Sequence, residues 1–205
     1  MTMEWDKKLS QNPIKKEINE FFAKETGKRK DLGKVLFLET KVLMTTRNLK
    51  RNRIKSKNMI VPSPLEADYK VIKKYVGDCQ NILLDELLSN KRTRPPQIAS
   101  AWFDYMSSFN GAEGGDIKPK KDIDTYFKYK FPVHNSIFGV TYSFRQNKKA
   151  DYTRQFIEEP EEEIQIIAAE NGYGLIRLGR NWTYNGMNTQ FWRVLELGKN
   201  FNLSI

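Results

Sequence analysis

Hydrophobic residues recur at helical spacing near the start of the chain, which predicts a first helix over residues 13–27. The pair Asn12-Pro13 is a typical helix start, because a proline at the first helical position loses no hydrogen bond by lacking an N–H. Apolar residues follow at steps of three and four, and Gly27 stands where the helix is expected to end. The next apolar stretch, residues 35–44, is interrupted by polar residues and fits either two short strands or one buried helix.

Two further helices are predicted in the first half. Ser63, Pro64 and Glu66 form a capping box, and the apolar residues after them alternate steps of three and four up to residue 89. The pair Pro95-Pro96 is expected to open the second of these helices, which ends at Asn110-Gly111. The buried stripe of the helix that follows the capping box consists of Leu65, Tyr69, Ile72, Val76, Cys79, Leu83 and Leu87.

After residue 111 the hydrophobic period changes from that of a helix to that of a strand. Alternation predicts strands over 127–133 and 138–144, and further strands are expected from residue 164 and over 173–178. Asn185-Gly186 is the strongest hairpin signal, because both positions tolerate the positive φ of a type I′ turn. This turn should join a strand around Trp182 to one that ends near Leu197. The glutamate-rich run at 158–163 is expected to be a solvated hairpin loop.

These patterns predict an α+β fold with a helical N-terminal half and a mostly antiparallel β-sheet in the C-terminal half. The predicted regions are a mainly helical one at 1–110, with a basic segment at 28–57, and an antiparallel β-rich one at 111–205. A chain of 205 residues can bury a sizeable core, so we expect the two regions to pack together as one folded unit.

Positive charge is concentrated in residues 28–57, which hold eleven basic residues against the two acids Asp31 and Glu39. The whole chain has a formal net charge of +10, so the other residues are nearly neutral together. A field this local attracts polyanions, and side chains that neutralise phosphates supply most of a non-specific affinity for nucleic acids. We therefore predict a non-catalytic protein that binds DNA or RNA without a cofactor. Its predicted binding residues are Lys28, Arg29, Lys30, Arg47, Lys50, Arg51, Arg53, Lys55 and Lys57, with Arg92 and Arg94 as a second patch.

Residues 171–178 resemble the first signature of the RNA-recognition motif, in which a basic residue, a glycine, an aromatic residue and a second glycine lead into a strand. Tyr173 takes one stacking position, but Asn171 and Leu175 replace the basic residue and the second aromatic residue. The chain is therefore not assigned to that family. The prediction that remains is that Tyr173, Arg177 and Arg180 stack on single-stranded bases.

Two other functions fit the same sequence. In one, the protein is a structural or assembly component of a viral particle, a mobile element or a large ribonucleoprotein, and its basic segment docks on an acidic protein partner. In the other, it is a metal-dependent nuclease. Asp116 and Lys118 would form the nuclease site, with Asp104 or Glu113 as the upstream acid.

Residue counts exclude several kinds of site. The single histidine, His134, excludes a multi-histidine metal site, and the single cysteine, Cys79, excludes an internal disulfide. Because Cys79 lies on a predicted buried stripe, we expect a core thiol and not a nucleophile. The chain contains no phosphate-binding loop, dinucleotide fingerprint or nucleophile elbow. No apolar run approaches the roughly 18 residues of a membrane span, so we predict a cytoplasmic protein without membrane contact. We assign no residue as a metal ligand or as catalytic.

Overall fold

Seven strands and six α-helices make up the residues that the computed structural model describes, which are 12–111, 115–143 and 158–198. The strands are β1 (Lys34–Phe37), β2 (Met59–Pro62), β3 (Asp78–Gln80), β4 (Ile98–Asp104), β5 (Pro132–Ser143), β6 (Tyr173–Tyr184) and β7 (Met187–Glu196). The helices are α1 (Pro13–Gly27), α2 (Met44–Arg51), α3 (Glu66–Ile72), α4 (Leu84–Lys91), α5 (Pro119–Lys128) and α6 (Glu159–Glu170), with a short 3₁₀-helix at Ser56–Asn58.

The strands form one sheet in the order β3-β2-β1-β4-β5-β7-β6. Neighbours from β3 to β5 are parallel, whereas β7 runs antiparallel to both β5 and β6. The predicted fold class is therefore wrong. The first half of the chain is not simply helical but contributes four parallel strands to a mostly parallel sheet with interleaved helices, and the antiparallel part is confined to β5, β7 and β6.

The helix predicted from Pro95-Pro96 is in fact β4. All residues from 98 to 103 are buried, because helices cover both faces of the sheet. A strand buried on both faces shows a continuous apolar run instead of alternation, and such a run resembles a buried helix. The helix predicted from Ser63 to residue 89 is divided into α3, β3 and α4, and the residues of β3 are only half-buried.

Two strands predicted in the second half are wholly or partly helical. The segment predicted as a strand at 127–133 includes the end of α5, and β5 begins only at Pro132. The strand predicted from residue 164 lies within α6. The glutamate-rich run at 158–163 is not a hairpin loop. It lies at the start of α6, where the helix dipole favours negative charge.

Two local predictions are confirmed. Asn12 caps α1, and its side-chain oxygen accepts hydrogen bonds from the backbone N–H of Ile14 at 2.9 Å and of Lys15 at 3.3 Å. The β6–β7 hairpin turns at Asn185-Gly186, whose φ angles are 49° and 72°.

The sheet separates two apolar cores. One lies between the sheet and α4, α5 and α6 and includes Phe103 and Phe138, while the other lies against α1, α2 and α3 and includes Phe22 and Phe191. Gly139 of β5 pairs with Phe191 of β7, and a Cβ atom at Gly139 would lie 2.2 Å from that ring. Close packing of α1 on the sheet therefore requires glycine here.

Membrane insertion finds no support in the helices of the described residues, none of which is both long and apolar enough to span a bilayer. The cytoplasmic location stays a prediction.

Candidate active site

A cavity of about 200 Å³ opens at the carboxyl-terminal ends of β1 and β4. The chain passes from β1 to β2 and β3 on one side and returns to β4 on the other, so the cavity lies at the switch point of the sheet. Open α/β sheets bind their ligands at such a point. The cavity is lined by Lys15, Asn19, Leu38, Glu39, Thr40, Val42, Met44, Thr45, Asp104, Met106, Tyr184 and Met187.

Lys15 of α1 forms an ion pair with Asp104, the last residue of β4. Its ammonium group also lies 4.9 Å from the ring centroid of Trp102 and 5.8 Å from that of Tyr184. Burial by itself would lower the pKa of Lys15, but the charge and the hydrogen bond of Asp104, together with those of Tyr184, hold the pKa above its ordinary value. The wall of the cavity therefore carries a fixed cation beside a carboxylate.

Asp104 has an acceptor to spare. Its Oδ2 atom pairs with Lys15, whereas its Oδ1 atom is buried and has no hydrogen-bond partner in the structure. A buried acceptor left unpaired costs on the order of 1–3 kcal/mol. Because Asp104 lines the cavity, this oxygen is suited to a ligand that brings an N–H or O–H donor.

Glu39 lies just beyond β1 and holds the start of α2. Its carboxylate accepts hydrogen bonds from the backbone N–H of Thr40 at 3.1 Å and of Thr46 at 2.7 Å. Burial raises the pKa of Glu39 to about 7, although these hydrogen bonds favour the charged form. Near neutral pH the carboxyl group is therefore present in both protonation states at the cavity wall.

The turn between β1 and α2 contains no glycine. Leu43 adopts the left-handed conformation, with φ 57° and ψ 34°, and its side chain is buried. Nucleotide-binding folds usually place glycines in this turn so that a ligand can approach the backbone. Here every residue of the turn carries a side chain, and we expect a ligand to be held mainly by side chains.

Asn19 couples the two helices that border the cavity. Its Nδ2 atom donates to the carbonyl of Lys15 at 2.8 Å, and its Oδ1 atom accepts from the hydroxyl of Thr45 at 2.8 Å. Asn19 is fully buried, and its bond to Thr45 is protected from water. The position of Lys15 therefore depends on the packing of α1 against α2.

Three basic grooves lead away from the cavity along α1 and α2. Val42 and Met44 line both the cavity and the first groove. Arg51 lines both the first and the second groove. Lys30 and Arg53 line both the second and the third groove. The third groove lies at the amino-terminal ends of β1 and β2. We call the basic residues of the three grooves the basic track. They are Lys16, Lys24, Lys28, Lys30, Lys34, Arg47, Arg51, Arg53, Lys55 and Lys57.

The basic track unites seven of the residues predicted to bind nucleic acid. Of the other four, Arg29 exposes 10% of its side chain and donates to a backbone carbonyl of β5 at 2.8 Å. The ammonium of Lys50 lies 5.3 Å from the ring centroid of Tyr75, and Arg92 and Arg94 are exposed between α4 and β4. The seven are Lys28, Lys30, Arg47, Arg51, Arg53, Lys55 and Lys57.

The residues predicted to stack on bases have partners within the protein. Tyr173 is buried, and its hydroxyl donates to a backbone carbonyl of β5 at 3.3 Å. The guanidinium of Arg177 lies 4.9 Å from the ring centroid of Trp192, and Arg180 pairs with Glu17 of α1 at 2.7 Å. Burial therefore leaves Tyr173 no ring face for a base.

The residues of the nuclease alternative form no metal site in the part of the chain that the structure describes. Within that part, no group of three or more His, Cys, Asp or Glu residues is placed to hold a metal ion. Asp116 and Lys118 are exposed in the connection before α5, and Glu113 lies outside the described residues. Asp104, the other candidate acid, is the ion-pair partner in the cavity.

The two residue types that occur once have no catalytic geometry. Cys79 lies in β3 and not on a helix, and burial raises the pKa of its thiol to about 11, so it is no thiolate at neutral pH. His134 is exposed, and its Nδ1 atom accepts a hydrogen bond from a backbone N–H at the end of β7 at 3.2 Å.

Sequence reasoning missed the cavity, Lys15 and the role of Glu39. The sequence did contain a signal for Glu39. An acidic residue within the apolar run at 35–44 needs hydrogen-bond or ion-pair partners when that run is buried. Lys15 carried no such signal, since it is one of several lysines on α1 and its partner Asp104 lies 89 residues away.

Three solved structures illustrate what the chain resembles. A Haemophilus influenzae protein assigned as a methylase has a TM-score of 0.60 and 10% identity, with 90% of this chain and 100% of that chain covered. Trm1 from Pyrococcus horikoshii, in complex with S-adenosyl-L-methionine, has a TM-score of 0.63 and 12% identity, with 91% and 56% covered. A P. horikoshii protein assigned as an RNA methyltransferase has a TM-score of 0.53 and 9% identity, with 89% and 84% covered. No family model and no curated protein sequence matches the chain.

These likenesses contradict our prediction of a non-catalytic nucleic-acid-binding protein, because the neighbours are methyltransferases. They contradict the viral or structural alternative and the nuclease alternative on the same ground. Charge alone misled the prediction, since a basic surface serves an enzyme on nucleic acid as well as a passive binder. The chain has a Rossmann-like methyltransferase fold.

Proposed function

We propose that this protein is an S-adenosylmethionine-dependent methyltransferase that modifies a nucleic acid, and RNA in particular. The observation that carries the proposal is the cavity at the switch point, which is lined by Asp104, whose Oδ1 atom is buried and unpaired, and which continues into the basic track. The fold neighbours support it, since one is in complex with this cofactor and another is assigned as an RNA methyltransferase.

The side chains of the cavity fit the charged groups of the cofactor, which carries a carboxylate, an ammonium group and a positively charged sulfur. Lys15 offers a cation to the carboxylate, while Glu39 offers an acceptor to the ammonium group. The ring of Tyr184 lines the cavity beside the Lys15 ammonium and is of the kind that attracts a sulfonium. Each charged group of the cofactor thus has a complementary side chain.

The nucleoside half of the cofactor has partners at the same edge of the sheet. Glu66 follows β2 and Asn81 follows β3, and the Nδ2 atom of Asn81 donates to the Glu66 carboxylate at 2.7 Å. A carboxylate in this part of a nucleotide-binding fold takes ribose hydroxyls. The glycine-free turn at Leu43 departs from the glycine-rich pattern, so we expect Lys15 and Glu39 to contribute more to cofactor binding than the backbone of the turn does.

When bound, the cofactor supplies a methyl group made electrophilic by the positive sulfur. Asp104 Oδ1 accepts a hydrogen bond from an N–H of the nucleobase and so orients the base at the cavity. Lys15 holds the Asp104 carboxylate in place through its ion pair. Met106, with 58% of its surface exposed at the cavity, provides apolar contact for the base.

Calorimetry with S-adenosylmethionine, followed by transfer of tritiated methyl groups to RNA, tests the proposal. We expect cofactor binding, label in the RNA, and a kcat about a hundredfold lower for Asp104→Asn, whose amide is the weaker acceptor. Asp116→Asn changes an exposed acid outside the cavity and should keep full activity. The proposal would be overturned if millimolar cofactor produced no heat of binding and did not stabilise the protein against thermal unfolding.

A further inference from the structure

We infer that the nucleic acid extends along the full height of the sheet, from the cavity to the amino-terminal edge, where the third groove is a second phosphate-binding site. This site is formed by Lys30, Lys34, Arg53, Lys55 and Lys57. The inference rests on the proposed function for the reaction at the cavity, but the binding that it predicts is independent of catalysis.

The continuity of the grooves is the first argument. Each groove shares lining residues with the next, through Val42 and Met44 at the cavity, Arg51 in the middle, and Lys30 with Arg53 at the amino-terminal edge. A chain of phosphates can therefore follow one connected concave surface without leaving the protein.

The balance of charge is the second argument. The three grooves hold the ten basic residues of the track but only two acids, Glu20 and Asp31. Basic residues in the last turn of a helix, such as Lys24 in α1 and Arg51 in α2, also serve the helix dipole. Lys30 and Lys55 lie outside the α-helices, so the dipole does not account for the charge at the amino-terminal edge.

The length of the track indicates a polymer. The 15 residues of α1 span about 22 Å. Phosphates along one strand of a duplex are about 3.4 Å apart along the axis, so about six of them fit beside this helix. A free nucleotide or a small anion would occupy only one groove.

The separation of the third groove from the cavity has a kinetic consequence. Its residues lie at the amino-terminal ends of β1 and β2, whereas the cavity lies at the carboxyl-terminal ends of β1 and β4. They cannot touch the reacting nucleotide. We therefore expect them to hold substrate and transition state equally, which lowers KM without changing kcat.

Fluorescence anisotropy with labelled RNA, measured without cofactor, tests the binding. The variant carries Lys30→Gln, Lys55→Gln and Lys57→Gln, which remove three exposed charges from the amino-terminal edge. We expect it to bind a long single strand about tenfold more weakly, with a salt slope smaller by about 2, and to bind a strand of about four nucleotides as before. The matched control, Lys74→Gln with Lys121→Gln and Lys128→Gln, removes three exposed charges outside the track and should change neither.

A change of less than about twofold for the long strand would overturn the inference while leaving the proposed function open. Displacement of the RNA by poly-L-glutamate at equal charge would also overturn it, because the track would then recognise acidic chains in general. With an active enzyme, the same variant should show a raised KM for long RNA and an unchanged kcat. A lowered kcat instead would indicate that the third groove lies close to the reacting nucleotide, and it would contradict the inferred path of the RNA from the cavity to the amino-terminal edge.

Discussion

Lys15 and Asp104 lie 89 residues apart in the chain and form an ion pair across the carboxyl-terminal edge of the sheet. Their side chains are only 15% and 19% exposed, and both line the cavity. The first helix is thereby joined to the central strand β4 at the point where the fold binds ligands. This pair is at once a structural contact and the charged centre of the candidate active site.

Replacing Lys15 by methionine should destabilise the protein by about 2 kcal/mol, because Asp104 would stay largely buried without its cation. We expect a smaller loss of stability than for a fully buried ion pair, because both side chains retain some contact with water. Urea denaturation measures the free energy of unfolding. Lys16→Met changes the exposed neighbour on the same helix and should alter it by less than about 0.5 kcal/mol.

The double variant Lys15→Met with Asp104→Leu separates charge from packing. It removes both charges and keeps apolar side chains of similar size at the two positions. We expect it to be more stable than Lys15→Met alone, because no unpaired carboxylate remains. Equal stability of the two variants would show that the ion pair does not account for the loss.

The stability of the protein should fall as pH rises from about 4.5 to about 7. Burial raises the pKa of Glu39 from 4.5 to about 7, so the folded state keeps the proton to a higher pH than the unfolded chain does. Below this window both states are protonated, and at pH 7 the folded state is still about half protonated, so the loss is complete only about one pH unit higher. Allowing for partial exposure of Glu39, the contribution is about 2 kcal/mol.

Urea titrations across this pH range check the expectation. Glu39→Gln removes the titration while keeping an acceptor oxygen for one of the two backbone N–H groups, and should make the profile shallower. Asp122, whose pKa burial also raises to about 7, contributes a second part of the same slope, and Asp122→Asn removes that part alone. If the unfolding free energy of Glu39→Gln depended on pH as steeply as that of the unmodified protein, the raised pKa of Glu39 would be contradicted.

Leu43 should reverse the usual order of alanine and glycine. Its φ of 57° is strained for any residue with a Cβ atom, so Leu43→Gly should be about 1 kcal/mol more stable than Leu43→Ala, although both lose the buried side chain. Leu49 is buried within α2 at helical φ, and there glycine should be about 1 kcal/mol less stable than alanine. Urea denaturation of the four variants measures both differences, and the same order at both positions would contradict a left-handed Leu43.

Much of the fold was beyond sequence reasoning because the parallel strands β1, β2 and β4 are short and mostly buried. β4 shows six consecutive buried residues and no alternation, which made it look like a helix. β1, at Lys34–Phe37, fell within an apolar run whose two interpretations could not be separated. Parallel pairing between such segments depends on long-range packing, which no local pattern records.

The sequence by itself determined the features whose physics is local. Asn12 and Pro13 specify the start of α1 because the cap bonds reach only three residues along the chain. Asn185 and Gly186 specify the hairpin because both tolerate positive φ, and the basic charge of 28–57 is visible in composition alone. Only the tertiary structure decided the sheet order, the cavity and the Lys15–Asp104 pair, because each arises where distant segments are brought together by burial of the two cores.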